Sequence, residues 1–529
     1  MIEKDKRSIA FIHPDLGIGG AERLVVDAAL GLQQQGHSVI IYTSHCDKSH
    51  CFEEVKNGQL KVEVYGDFLP TNFLGRFFIV FATIRQLYLV IQLILQKKVN
   101  AYQLIIIDQL STCIPLLHIF SSATLMFYCH FPDQLLAQRA GLLKKIYRLP
   151  FDLIEQFSVS AADTVVVNSN FTKNTFHQTF KYLSNDPDVI YPCVDLSTIE
   201  IEDIDKKFFK TVFNEGDRFY LSINRFEKKK DVALAINGFA LSEDQINDNV
   251  KLVICGGYDE RVAENVEYLK ELQSLADEYE LSHTTIYYQE IKRVSDLESF
   301  KANNSKIIFL TSISSSLKEL LLERTEMLLY TPAYEHFGIV PLEAMKLGKP
   351  VLAVNNGGPL ETIKSYVAGE NESSATGWLK PAVPIQWATA IDESRKILQN
   401  GSVNFERNGP LRVKKYFSRE AMTQSFEENV EKVIWKEKKY YPWEIFGISF
   451  SNFILHIAFI KILPNNPWPS YLWPLLWYYI LRTTYGEFTG HLYSLSPTLM
   501  KKYNVYLNKQ CIPPEEKIIY IGEEISKCK

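Results

Sequence analysis

No Cys-x-x-Cys pair occurs among the eight cysteines of this 529-residue chain: Cys46, Cys51, Cys113, Cys129, Cys193, Cys255, Cys511 and Cys528. The spacing offers neither a ribbon-type zinc site nor a disulfide framework. A reduced, cytosol-facing compartment is the simplest fit. Cys46 and Cys51 with His45 and His50 could form a metal cluster, but a polar loop after a strand is the plainer expectation. An excess of positive charge is missing too. The 57 Lys and Arg stand against 62 Asp and Glu, a net charge of −5, which argues against nucleic acid as a partner. The opening MIEKDKRSIAFIHPD has an apolar run of only about five residues, shorter than a signal-peptide core. The sequons at Asn170, Asn303, Asn371 and Asn400 then need carry no glycan. No internal repeat or low-complexity tract stands out.

What is present is globular in composition, 46% apolar and 13% aromatic. The length suits roughly two to four domains. The N-terminal part alternates short apolar runs with longer helical patterns. SIAFIH (Ser8–His13) predicts a strand, AERLVVDAALGLQQQG (Ala21–Gly36) a helix ending on glycine, and HSVIIYTS the next strand. YQLIIID, TLMFYCH and DTVVVNS continue the series, with the Val/Ile runs of a buried parallel sheet. After a charged, linker-like stretch the pattern restarts with FYLSI, KLVICGG, EMLLYTP and PVLAVNN. The expectation is two doubly wound, Rossmann-like α/β domains, 1–195 and 196–435, facing across a cleft, with a tail over 436–529. Asn237-Gly238 interrupts one helical pattern, where glycine costs about 1 kcal/mol against alanine.

In such folds ligands lie beyond the C-terminal ends of the strands, so the loops there carry the chemistry. HPDLGIGGAERL puts Gly17, Gly19 and Gly20 between a strand and its helix, a turn suited to a phosphate or sugar. It is not the Gly-x-Gly-x-x-Gly of dinucleotide binding, which makes NAD a weak candidate. FYCHFPDQ sets His130 at a strand end. NRFEKKKDV offers Arg225, Lys228, Lys229 and Lys230 after the first strand of the second domain, a cationic cluster suited to a diphosphate. Alone, such a run reads equally as a solvated face. YEHFGIVPLEAM places Glu335 in a loop and Glu343 inside a helix that Pro341 suits at its first turn. The N–H groups of Phe337, Gly338, Ile339 and Val340 near that helix start suit phosphate. Carboxylates accept pairs of sugar hydroxyls, so one acid can hold a hexose and the other a ribose. NNGGPLET adds a second glycine turn.

Taken in this order, GGAER, NRFEKKKD, EHFGIVPLE and GGP resemble the retaining GT-B glycosyltransferases of family four, over about residues 8 to 435. FIHPDLGIGGAERLVVDAALGLQQQGH, YCHFPDQLLAQR and RFEKKKDVALAI resemble a narrower fungal group, the dual mannosyltransferases of lipid-linked oligosaccharide synthesis. The resemblance implies GDP-mannose as donor and a dolichyl-diphosphate-linked Man-GlcNAc2 as acceptor, joined by an α-1,3 and an α-1,6 linkage. It implies the cytosolic face of the endoplasmic reticulum membrane, in company with other mannosyltransferases of the pathway. Carried over by motif, Glu335 contacts the transferred mannose, Glu343 the ribose, and Arg225 and Lys230 the diphosphate. His130 faces the donor sugar, and Gly19 and Gly20 approach the donor or the acceptor. No cofactor is obligatory, and a divalent cation is at most a stimulant. Asp-x-Asp occurs at Asp186/Asp188 and Asp203/Asp205, but neither closes a strand at the cleft, so no metal ligands are expected. Two alternatives stay open: a family-four transferase for another sugar nucleotide or lipid acceptor, and a catalytically silent membrane scaffold.

Three apolar segments bear on the membrane. Phe77–Leu95 is long enough to span but contains Arg85, Gln86 and Gln92, which favours a helix buried against the sheet, with membrane-surface contact as the rival. Trp443–Leu463 is a better candidate, after a lysine-containing run that suits a cytosolic flank, and Pro467–Arg482 reads as interfacial or re-entrant. From Arg482 the tail is largely polar, unlike the hydrophobic continuation that the resemblance implies.

Overall fold

The computed structural model describes residues 6–73, 75–136, 142–181, 183, 185–291, 297–301 and 305–434. The tail assigned to 436–529, with two of the apolar segments, lies outside the described residues.

Two seven-stranded sheets carry the chain. The first contains β1 (Ser8–His13), β2 (Ser38–Thr43), β3 (Lys61–Val64), β4 (Leu104–Asp108), β5 (Thr124–Cys129), β6 (Thr164–Val167) and β7 (Asp188–Val189). Its order is β3-β2-β1-β4-β5-β6-β7. The second contains β8 (Arg218–Ile223), β9 (Val250–Gly256), β10 (His283–Tyr287), β11 (Ile307–Thr311), β12 (Met327–Tyr330), β13 (Val351–Val354) and β14 (Gly377–Lys380). Its order is β10-β11-β9-β8-β12-β13-β14, and neighbours in both sheets run parallel. In each sheet the order reverses beside the first strand, between β1 and β4 and between β8 and β12. Those are the switch points where an open α/β sheet leaves a crevice. The central strands are buried on both faces, as their unbroken apolar runs predict: every residue of β4 and of β12 is buried. The edge strands β3 and β10 mix polar and apolar residues and are only partly buried, so the apolar pattern does not reveal them.

The domains interlock more than a linear division at residue 195 suggests. The helix Arg419–Ile434 leaves the second domain and packs on the helix Gly20–Gln34 of the first, where Met422, Phe426 and Val430 join its core. Arg419 meets the buried Asp27 at 2.8 Å, and His37 Nε2 lies 2.5 Å from Glu427. Across the cleft, one Glu361 carboxylate accepts hydrogen bonds from the Asn170 and Phe171 N–H groups and from the Tyr191 hydroxyl, at 2.8–2.9 Å. A carboxylate at the start of the helix Asn170–Thr179 complements its unpaired N–H groups and its dipole.

Gly238 now has a physical account. The helix Ala233–Ala240 crosses the helix Pro384–Asn400, and a Cβ at Gly238 would lie 2.8 Å from the Cβ of Trp387. Close approach outweighs the poor helix propensity. Gly238→Leu is expected to cost about 1–3 kcal/mol by overpacking and to lower the melting temperature. An unchanged melting temperature would show that the two helices separate freely.

The helix Phe78–Leu95 departs from the expectation of a buried core helix. Its polar residues face inward: Arg85 donates to the Ser44 carbonyl at 3.0 Å and Gln86 to the Leu110 carbonyl at 2.7 Å. Its mean hydropathy is 2.0, yet only 28% of it is buried, and Phe78, Ile84, Ile91 and Leu95 are exposed. Phe77, just before it, packs edge-on to Tyr147 of the helix Leu142–Ser160. That second helix exposes Ile146, Leu149, Leu153, Ile154 and Phe157. Leu89, Val90 and Leu93 are buried beside Arg85 and Gln86, so the helix is apolar on both faces, and its outward apolar side is unusual for a soluble-protein helix.

Candidate active site

A cavity of about 420 Å³ lies between the two sheets. The first domain lines it with Gly20, His130 and Asn168, and the second with Arg225, Lys230 and the run Glu335 to Val340. Strand ends of both domains therefore meet there. Gly19 and Glu343 are not among its lining residues.

The second-domain wall is built by two loops. After β8 the chain forms a short 3-10 turn, Lys228–Lys230, and the three lysines diverge. Lys228 pairs with Glu271 at 2.7 Å and Lys229 with Glu227 at 3.0 Å, both on the exposed side. Lys230 turns inward, with Nζ 2.6 Å from Glu335 Oε2, and its carbonyl accepts from the Thr331 hydroxyl at 2.6 Å. Arg225 remains open to solvent, 69% exposed, with a 3.2 Å contact to Glu227. Of the cationic run, Arg225 and Lys230 line the cavity while Lys228 and Lys229 do not.

After β12 comes the loop carrying Glu335. Gly338 has φ of 84° and caps the helix Ile339–Lys346, and a side chain there would strain the backbone and press on the Tyr330 hydroxyl at 3.1 Å. That turn sets the start of the helix, Gly338 to Val340, in the cavity wall, and the unpaired N–H groups of a helix start favour anions. The Glu335 carbonyl accepts from Gly358 N–H at 2.8 Å, so NNGGPLET braces the loop from behind. Tyr330 beneath it ionises with more difficulty than usual, through burial and then through the carboxylates Glu335 and Glu343. Glu343 Oε1 meets Lys318 Nζ at 2.7 Å, while Oε2 is buried without a hydrogen-bond partner.

His336 bridges the domains. Its ring stacks on Phe131 at 3.7 Å and 9°, and its carbonyl accepts from the Ser169 hydroxyl at 2.6 Å. Burial lowers its pKa and favours the neutral ring. On the first domain, His130 Nε2 lies 2.7 Å from Oδ1 of the buried Asp108. Oδ2 of the same carboxylate lies 2.7 Å from Nδ1 of His13, which is wholly buried.

Pattern reading passed over His13, Asp108, His336 and Asn168. Asp108 and His13 carried one usable signal, since each closes a strand next to the switch point. The Asp-x-Asp pairs are engaged elsewhere: Asp186 with Lys173 and His177, and Asp205 with the hydroxyls of Tyr288 and Ser314. Among the described residues no group of three His, Cys, Asp or Glu side chains is arranged to hold a metal.

Two Rossmann-like domains facing across such a cavity define a GT-B glycosyltransferase. The Glycosyltransferase Family 4 model matches residues 18–198 and the Glycosyl transferases group 1 model residues 203–411. The chain is 94% identical over 498 residues to Alpha-1,3/1,6-mannosyltransferase ALG2 of Saccharomyces cerevisiae, covering 92% of this chain and 99% of that one. It is 55% identical to the protein of the same name from Eremothecium gossypii, over 85% of this chain and 88% of that one. The chain belongs to this alpha-1,3/1,6-mannosyltransferase family. Among solved structures, a sucrose-phosphate synthase from Thermosynechococcus elongatus shares the fold, with TM-score 0.58, 18% identity and coverage of 81% of this chain and 99% of that one. Anabaena HepE, solved with UDP and glucose, shares it at TM-score 0.54 and 17% identity, covering 80% of this chain and 99% of that one.

Proposed function

We propose that the interdomain cavity transfers mannose from GDP-mannose to a dolichyl-diphosphate-linked Man-GlcNAc2 acceptor. One product linkage is α-1,3 and the other α-1,6, in N-glycan precursor synthesis. Mannosyl transfer follows the family. The donor, the acceptor and the residue roles are our own reading, carried by one observation: Lys230 and Glu335 stand 2.6 Å apart beside the open start of the helix Ile339–Lys346. A cation, a carboxylate and a ring of N–H groups fit a hexosyl diphosphate, which offers hydroxyls to the acid and phosphates to the rest.

In this reading Glu335 holds the mannose, and Glu343, about one helical turn beyond the cavity lining, takes the ribose of GDP. Arg225, Lys230 and the N–H groups of Phe337 to Val340 take the diphosphate. Gly19 and Gly20 leave room for donor or acceptor, and His130 faces the sugar. The bond from C1 to the phosphate oxygen breaks as the acceptor oxygen bonds C1 on the same face. The acceptor proton passes to the departing phosphate. Charge growing on that phosphate is met by cations already in place, which costs no reorganisation at the moment of reaction. No metal is obligatory in this scheme, and a divalent cation serves at most as a stimulant.

The exposed apolar faces of Phe78–Leu95 and Leu142–Ser160 suit contact with the cytosolic surface of the endoplasmic reticulum membrane, where a polyprenyl acceptor resides. Transfer beside other mannosyltransferases of the same pathway fits that location.

The test supplies the full chain with the lipid acceptor and each of several sugar nucleotides, with and without EDTA. GDP-mannose alone is expected to give product, and EDTA is expected to leave it in place. Product from a different donor would favour another family-four specificity. No product from any donor, in folded protein, would favour a silent scaffold.

A further inference from the structure

His130, which faces the sugar in the scheme above, belongs to a connected set of three groups in the first domain, and that scheme leaves the other two unused. His13 closes β1, Asp108 closes β4 and His130 follows β5, and these strands are neighbours in the order β1-β4-β5. Asp108 is 1% exposed and bridges the two imidazoles at 2.7 Å each, through Oδ2 to His13 Nδ1 and through Oδ1 to His130 Nε2. On its far side His13 Nε2 is buried, makes no hydrogen bond and lies 3.7 Å from Glu22 Oε1. Glu22 sits in the first turn of the helix that begins at Gly20, a residue lining the cavity. The string Glu22–His13–Asp108–His130 thus runs from a helix whose first residue lines the cavity to His130, which lines it too.

A buried carboxylate needs a full set of partners, and here both come from rings. Burial opposes charge on His13, but its hydrogen bond to Asp108 and the nearby Glu22 carboxylate outweigh it and raise its pKa to about 9. Burial also opposes charge on Asp108, while the two imidazoles bonded to it keep its carboxyl below the usual carboxylate range. At neutral pH the buried pair is therefore imidazolium and carboxylate, with opposite charges that cancel. The oxygen left over can accept from His130 Nε2–H without requiring a second buried cation. A hydrogen bond at one ring nitrogen decides what the other does. With Nε2 donating, Nδ1 is the ring's remaining polar atom, and it is an acceptor suited to a sugar hydroxyl.

We propose that Asp108 is a positioning residue for mannosyl transfer, fixing the orientation and the Nε2–H tautomer of His130, with the buried His13 as its counter-ion. His130 is faced by Asp108 and Tyr128 from its own sheet, and by Lys230, Glu335 and His336 from the opposite domain. Among these, Asp108 alone makes a hydrogen bond to the ring that is seen among the described residues. The inference rests on the mannosyl-transfer reading of the cavity, so its test combines one readout that needs turnover and one that does not.

The first readout is a double-mutant cycle on the full chain, with kcat and KM for GDP-mannose. Asp108→Asn is expected to lower kcat about 10²-fold, with a smaller change in KM. In a His130→Asn background the same change is expected to cost less than about twofold, because Asp108 acts only through His130. An equal loss in both backgrounds would mean a structural role and overturn the proposal. The second readout is the 15N side-chain spectrum of the histidines in the unmutated protein, assigned with His130→Asn and His13→Gln. His130 carrying its proton on Nε2 and His13 as imidazolium is the expected result. A His130 protonated on Nδ1 alone, or a neutral His13 at pH 7, would overturn it even if GDP-mannose proved not to be the donor.

Discussion

Glu335→Ala is expected to lower mannosyl transfer by about 10²–10³-fold while the melting temperature moves by only a few degrees. The two effects separate because the loop does not depend on the carboxylate. Its backbone is held by Gly358 N–H to the Glu335 carbonyl at 2.8 Å and by Tyr334 N–H to the Asn356 side chain at 2.6 Å. Stacking of His336 on Phe131 pins the next residue. The side chain itself is 26% exposed and bonded to Lys230, itself 18% exposed. A pair so open to solvent contributes about 1 kcal/mol or less to stability. In the proposed bound state the carboxylate would face the sugar carbon where positive charge grows, and away from bulk water the same charge counts for far more. Steady-state turnover together with a thermal melt checks both halves. A variant that keeps full turnover would remove Glu335 from the site.

The second large effect is expected at Lys230. Lys230→Met should lower kcat by about 10²–10³-fold, because it removes a fixed cation from the phosphate on which leaving-group charge develops. The neighbouring lysines are internal controls that sequence alone does not provide. Lys228 and Lys229 pair with Glu271 and Glu227 away from the cavity, so Lys228→Met and Lys229→Met should stay within about twofold of the parent. Equal losses at all three positions would point to a diffuse field rather than to one placed cation. Arg225→Glu should act on affinity, because in the proposed scheme this side chain, 69% exposed, takes the diphosphate from the solvent side. Calorimetric titration with GDP is expected to show clearly weaker binding, and unchanged affinity would count against its role.

The second-domain wall was legible in the sequence because it is local. Glu335, Gly338 and the helix start at Ile339 lie within a few residues, and strand, loop and helix grammar is enough to aim them at a ligand. The choice among Lys228, Lys229 and Lys230 was not, because one turn of 3-10 geometry decides which of three equal side chains faces inward. The first-domain wall was less legible still. His13 and Asp108 are separated by ninety-five residues, and they meet only because β4 inserts beside β1. A strand order of that kind leaves no mark on either local pattern. The helix Phe78–Leu95 misled for a related reason: its apolar count is that of a core helix, and only the partners of Arg85 and Gln86 reveal which face turns inward. Likewise the return of Arg419–Ile434 to the first domain is set by long-range packing on Gly20–Gln34.

The central claim is that one cleft, with Glu335 and Lys230 at its centre, makes both linkages. Product masses from GDP-mannose and the Man-GlcNAc2 lipid, followed by linkage-specific mannosidase digestion, test it most directly in the parent and in Glu335→Ala. The account predicts products heavier by one and by two hexoses in the parent, with both linkages lost together in the variant. Survival of either linkage at parental rate in Glu335→Ala would contradict it.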